Sequence, residues 1–148
     1  MKILLKNISF AIGIMFCSMN ILCEEADDVD SVSLCDEITI VNPDLYENLN
    51  TANFTFIDAE IVDDCLRLEI GASGCDGNTW GFNLVDSGAI AESLPEQRYL
   101  RLQLINEEAC LAFFEKTVSF DLSPIQIDGS NEIILHIEGL ESSLNYKY

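Results

Sequence analysis

The stretch CLRLEIGASGCDGNTWGFNLV, residues 65–85, carries two patterns in one line. Its first part alternates: Leu66, Leu68 and Ile70 fall on one side, with Cys65, Arg67 and Glu69 on the other. Successive side chains of a β-strand point to opposite faces, so strict alternation marks a strand with one face buried; a helix would repeat every three to four residues instead. The alternation then stops at GCDGNTWGF, residues 74–82, which gathers glycines, a cysteine and the only tryptophan. It resumes with Trp80, Phe82 and Leu84 on one side. Two strands joined by a glycine-rich corner is the reading, and the rest of the chain repeats it.

Upstream, DEITIV (36–41) sets Ile38 and Ile40 on one side, and NFTFI (53–57) does the same for Phe54 and Phe56. Downstream, YLRLQLI (99–105) aligns Leu100, Leu102 and Leu104, and TVSFDL (117–122) aligns Val118, Phe120 and Leu122. EIILHIEGL (132–140) closes the series with Ile133, Leu135 and Ile137. Turn-forming pairs and prolines separate these runs: Asn42-Pro43, Ser87-Gly88, Leu94-Pro95, Ser123-Pro124 and Asp128-Gly129-Ser130. NEEACLAFFEKT (106–117) is the exception, because Leu111, Phe114 and Val118 suit a short helix near 107–116 as well as an edge strand. Seven or eight short strands without βαβ alternation predict an all-β antiparallel two-sheet sandwich, with a small barrel as the alternative.

The chain has 148 residues, enough for one domain with a modest core. Lys2 and Lys6 precede an apolar run from Ile8 to Phe16, after which the chain turns acidic at Glu24. Basic, then apolar, then polar is the order of a secretory signal peptide, and the run is shorter than the roughly 20 residues of a membrane span. The expected organisation is a signal peptide over 1–22, an acidic tether over 23–34 and a single β-domain over 35–148. Cys23 stands where a bacterial lipoprotein would carry its lipid, followed by Glu24, Glu25, Asp27 and Asp28; simple secretion is the competing outcome. The predicted address is extracytoplasmic: the cell envelope as an outer-membrane lipoprotein, or the medium, with membrane contact only through the signal or a lipid anchor.

Losing Lys2 and Lys6 with such a leader would take the formal charge from -19 to -21. That field repels nucleic acid and anionic membrane surfaces, and suits cationic partners or divalent ions. Outside the cytosol the four cysteines Cys35, Cys65, Cys75 and Cys110 are expected in disulfides. Sequence separation favours Cys65 with Cys75 and Cys35 with Cys110, although four cysteines allow three pairings. Zinc and redox motifs, which need Cys-x-x-Cys spacing, are absent. For calcium, Asp76 and Asn78 are the candidate ligands, set against the plainer reading of CDGN as a turn. His136 sits inside an alternating run and reads as structural.

Trp80 has two readings, core packing with Phe82 and Leu84 or an exposed platform for a sugar or peptide. Arg98 likewise reads as a structural partner of Glu96, Glu92 or Asp86, or as a recognition residue. No nucleophile elbow, His-Glu metalloprotease motif or phosphate-cradling loop occurs. Carboxylates are so many that no pair can be singled out for glycoside hydrolysis.

Taken together, Cys65, Gly74-Cys75-Asp76-Gly77, Trp80, Gln97-Arg98, Glu108, Cys110, Phe120-Asp121-Leu122, Pro124 and Gly129 resemble a family of small uncharacterised exported proteins and lipoproteins of flavobacteria and related Bacteroidota. The resemblance spans Cys65 to Gly139 and implies the address and the domain, but no chemistry. The expected function is therefore a non-enzymatic surface or envelope domain that binds a protein or a glycan, with no resident cofactor. A structural subunit of an envelope complex and a carboxylate-dependent extracellular hydrolase are the alternatives.

Overall fold

The computed structural model of the chain describes residues 34–148. The signal peptide over 1–22, lipidation at Cys23 and all of the tether but Leu34 lie outside the described residues. The elements are β1 (Glu37–Ile38), β2 (Ile40–Val41), α1 (Pro43–Glu47), β3 (Thr55–Val62), β4 (Cys65–Gly74), β5 (Gly81–Ala91), β6 (Glu96–Ile105), β7 (Ala112–Asp121), β8 (Glu132–Ile137) and β9 (Leu144–Lys147). A single 3-10 turn, Ser123–Ile125, lies between β7 and β8. Two sheets result, a four-stranded one in the order β1-β7-β4-β3 and a five-stranded one in the order β2-β5-β6-β8-β9. The fold is a β-sandwich, not a closed barrel.

The alternating rows named above form its core. Leu66, Leu68 and Ile70 of β4 face Leu100, Leu102 and Leu104 of β6, with Phe120, Ile133 and Leu135 filling in, all buried. Burying a leucine or isoleucine is worth about 1.5–3 kcal/mol, so these paired rows are the main favourable term. Most neighbours are antiparallel, but β1–β7, β2–β5 and β6–β8 run parallel. Alternation specifies a face and not a neighbour, which is why these parallel pairs were not expected.

Three local expectations are corrected. First, no helix forms near 107–116: Ala112–Asp121 is strand β7, paired along its length with β4. Phe114, Lys116, Val118 and Phe120 lie opposite Ala72, Ile70, Leu68 and Leu66, so a lysine occupies one place in the inner row. That charge hid the period-two pattern. Lys116 escapes burial by carrying its Nζ past the Phe82 ring, 5.8 Å from the ring centre, and donating to the Gly77 carbonyl, 2.8 Å away. The short helix is instead α1, started by Asn42, whose Oδ1 accepts from the Leu45 amide, with Pro43 in the first turn.

Second, Ile38 and Ile40 do not turn inward together. The chain passes from one sheet to the other at Thr39, which is buried, while Ile38 is 61% exposed.

Third, the disulfides are Cys35–Cys65 and Cys75–Cys110. Cys65 opens β4 and Cys75 follows its last residue, so an extended strand holds them roughly 30 Å apart at about 3.3 Å per residue. A disulfide needs Cα atoms within about 7 Å. The observed pairs meet that condition at 5.6 and 4.7 Å. Both bonds thus anchor β4, one at each end.

Candidate functional site

The glycine-rich corner is built around Glu108. β4 leaves the four-stranded sheet for β5 through residues 75–80, and β6 returns to β7 through residues 106–111. Cys75–Cys110 joins these two crossings. Beside the bond, Glu108 Oε2 accepts from the backbone amides of Cys75, Asp76 and Gly77 at 2.5, 3.2 and 3.2 Å, and Oε1 accepts from the Thr79 hydroxyl at 2.7 Å. Successive amides converging on one point form an anion-binding nest, and Gly77, at φ +68°, supplies the left-handed residue that shapes it. The Thr79 hydroxyl, followed by the three amides, holds the Glu108 carboxyl down at about 2.

Gly74 completes the corner by having no side chain. A Cβ there would lie 2.4 Å from Glu108 Oε2 and 2.9 Å from the Trp80 ring. Asn106 braces the other side, donating to the Ser73 carbonyl and accepting from the Glu108 amide.

Asp76 Oδ1 accepts from the Asn78 backbone amide at 2.9 Å, an Asx turn. Among the described residues, no three His, Cys, Asp or Glu side chains come together as a metal-ion site. Trp80 is 6% exposed and packs in the core row with Phe82 and Leu84, so its face is not a stacking platform. Arg98 is buried as well. It donates to Asp86 Oδ1 at 3.2 Å and to the Ile125 carbonyl at 3.2 Å, joining the five-stranded sheet to the 3-10 turn. Of the three proposed partners, Asp86 is the one it meets. Burial pushes the Asp86 carboxyl up, against the pull of the Gly88 amide and Arg98. His136 stacks on Tyr99 and bonds through Nε2 to Gln97 Oε1, a surface packing role.

What the sequence did not disclose is an open margin. β3 pairs with β4 on one side only, and among the described residues no strand pairs with its other edge. The pairing shifts register between Phe56 and Asp58, a bulge that brings Ala59 and Ile61 onto the inner side after Phe56. This shift broke the alternation and made the strand read short from sequence.

One recess borders that edge, and a second opens at the β3–β4 turn and runs across β4 to β7. A groove of about 380 Å³ runs between residues 55–59 and the turn at 139–144. At the far end, a cleft of about 450 Å³ is lined by Val62, Asp63, Asp64, Arg67, Asp121 and the Cys35–Cys65 bond, among others. Two of its acids are partly occupied: Asp64 Oδ1 accepts from the buried Tyr146 hydroxyl at 2.5 Å, and Asp121 Oδ1 accepts from Ser123 at 2.6 Å. Burial first, and the Asp64 contact second, drive the Tyr146 hydroxyl upward, so it stays a donor.

No family model and no curated protein matches this chain. Solved structures of the same fold do. A protein of unknown function, DUF1344, from Bacteroides vulgatus superposes with a TM-score of 0.50 at 19% identity, over 76% of this chain and 56% of its own. A protein named as toxin-related from Parabacteroides distasonis gives 0.50 at 17% identity, over 76% and 59%. A NigD-like immunity protein from Bacteroides caccae gives 0.51 at 11% identity, over 74% and 58%. The chain therefore spans less than two thirds of each. At these identities the similarity establishes the sandwich, as found in proteins of Bacteroides and Parabacteroides, and carries no function.

Proposed function

We propose that this chain is an extracytoplasmic domain that acts by binding a protein partner and performs no chemistry of its own. The observation that carries the reading is the pair of disulfides, which engages all four cysteines of the described residues and fixes both ends of the central strand β4. Such bonds persist in oxidising compartments and are rare in the cytosol. A glycan platform loses its main support, because the lone tryptophan is internal. Arg98, the recognition candidate, is held inside the fold by Asp86, and Asp76 accepts from the Asn78 amide in a turn. Attachment through a lipid on Cys23 belongs to the same proposal.

The test is to express the full chain with its own leader in a bacterium and label thiols before and after reduction. Cys35, Cys65, Cys75 and Cys110 should resist alkylation until reduced; four freely labelled thiols would overturn the compartment and with it the reading. Fractionation should place the protein with membranes, and Cys23→Ala should release it into the soluble extracytoplasmic fraction. Retention of the Cys23→Ala protein in the membrane would remove the lipid anchor from the proposal.

A further inference from the structure

We infer that the free edge of β3 docks an extended, lysine- or arginine-bearing segment of another protein by strand addition. The inference rests on the binding reading above and names the surface and the chemistry of the partner. Strand addition needs an unpaired row of backbone donors and acceptors, and the eight residues of β3 have no partner strand on one side among the described residues. Beyond the bulge, the pairing of β3 with β4 is regular from Asp58 opposite Glu69 to Val62 opposite Cys65, so the outer edge is regular there too. The groove at 55–59 borders the first half of this edge and gives an incoming strand side-chain space there.

Charge selects the occupant. Along and beyond the edge stand Asp58, Glu60, Asp63 and Asp64, with Glu69 in the next strand and Glu141 across the groove. Arg67 is the cation beside them, and it is paired with Glu60 at 3.1 Å. The remaining cations of the described residues are engaged elsewhere: Arg98 with Asp86, Arg101 with Glu138, Lys147 with Glu132 and Lys116 with the Gly77 carbonyl. Among the described residues, no lysine or arginine besides Arg67 is left to neutralise the edge.

A second copy of this chain would set Asp58 and Glu60 against the same acids, and like charges facing across a strand pair are destabilising. A basic strand meets the opposite situation. Ile57 and Val62, each nearly half exposed, give it apolar contacts between the charges. The acids therefore reject self-pairing and favour a cationic partner with one arrangement.

The experiment uses the full oxidised chain and three short synthetic peptides. One alternates lysine and valine, the second replaces central valines with proline at equal charge, and the third carries glutamate for lysine. Binding is read by calorimetry, and its place by hydrogen exchange of backbone amides. The alternating lysine peptide should bind at least about tenfold tighter than the other two and slow exchange at residues 55–63. Asp58→Lys with Glu60→Lys should transfer the preference to the glutamate peptide, and Asp58→Asn with Glu60→Gln should weaken the lysine peptide without weakening the glutamate peptide, while thermal melting confirms the fold. Equal binding of the lysine and proline peptides would show diffuse charge attraction and overturn the inference. So would protection outside 55–63, or a homodimer that protects β3. Any of these results with blocked cysteines defeats the edge assignment and leaves the extracytoplasmic reading standing; free thiols defeat that reading whatever the peptides do.

Discussion

At the corner, one carboxylate receives three amides and a hydroxyl, a disulfide joins the two crossings, and Gly74 makes room for the carboxylate and the Trp80 ring. Along β3, less than the length of one strand away, a whole row of backbone groups has no partner strand among the described residues, and acids surround it. The corner uses an acid to close the structure against itself. The edge, on the inference drawn above, uses acids to stay open for a basic partner. The same residue type serves opposite ends because Glu108 is aimed at converging donors, whereas Asp58 and Glu60 face solvent and at most a surface arginine. A high acidic content is thus not one property of this protein but two.

Substitutions at the corner and at the edge put that contrast to the test. The largest effect should come from Cys75→Ser with Cys110→Ser. Releasing a crosslink over a sequence separation of 35 removes about 4 kcal/mol by the chain-entropy argument, read as a lower urea midpoint. A loss below about 1 kcal/mol would mean that the corner holds without its covalent tie. Next is Gly74→Ala, whose Cβ would overlap Glu108 and Trp80 and should cost about 1–3 kcal/mol. Gly81→Ala is its control, because there a Cβ meets only Ile105 at 3.6 Å; equal losses at the two glycines would discredit the crowding argument.

Glu108→Gln should show its effect as a pH dependence. The folded carboxyl lies at about 2, below its ordinary 4.5, so its contribution is present above about 4.5 and disappears as pH falls through 2. The melting temperatures of parent and variant should differ at neutral pH and converge towards pH 2. A gap independent of pH would show that the nest does not depend on the charge. The smallest effect belongs to Asp58→Lys with Glu60→Lys, which should change stability by no more than about 0.5 kcal/mol, since the Glu60–Arg67 pair is half exposed. A large loss there would make the edge a structural element like the corner.

The sandwich was legible because its inner rows, at 66–70, 100–104 and 133–137, are purely apolar at period two. Trp80 was legible for the same reason, through its place in a row with Phe82 and Leu84. β7 was obscured by a lysine in its inner row, and β3 by a bulge, each a departure that alternation cannot absorb. Cysteine pairing failed for a different reason: the count implied two bonds, but closeness along the chain was taken as closeness in space across a fully extended strand. Glu108 lies two residues before Cys110, yet nothing in NEEAC indicates that its carboxylate meets amides some thirty positions upstream.

The Cys35–Cys65 bond also decides how the domain carries load. A pull arriving at Leu34 would otherwise peel away β1 and β2, two residues each, one hydrogen bond after another. The bond diverts that force at Cys35 directly into β4, which is held between β3 and β7. Detachment then requires shearing an interior strand along its length instead of unzipping a short marginal one. For a domain hung by its N-terminal side from a surface, that is the difference between a hook and an adhesive strip.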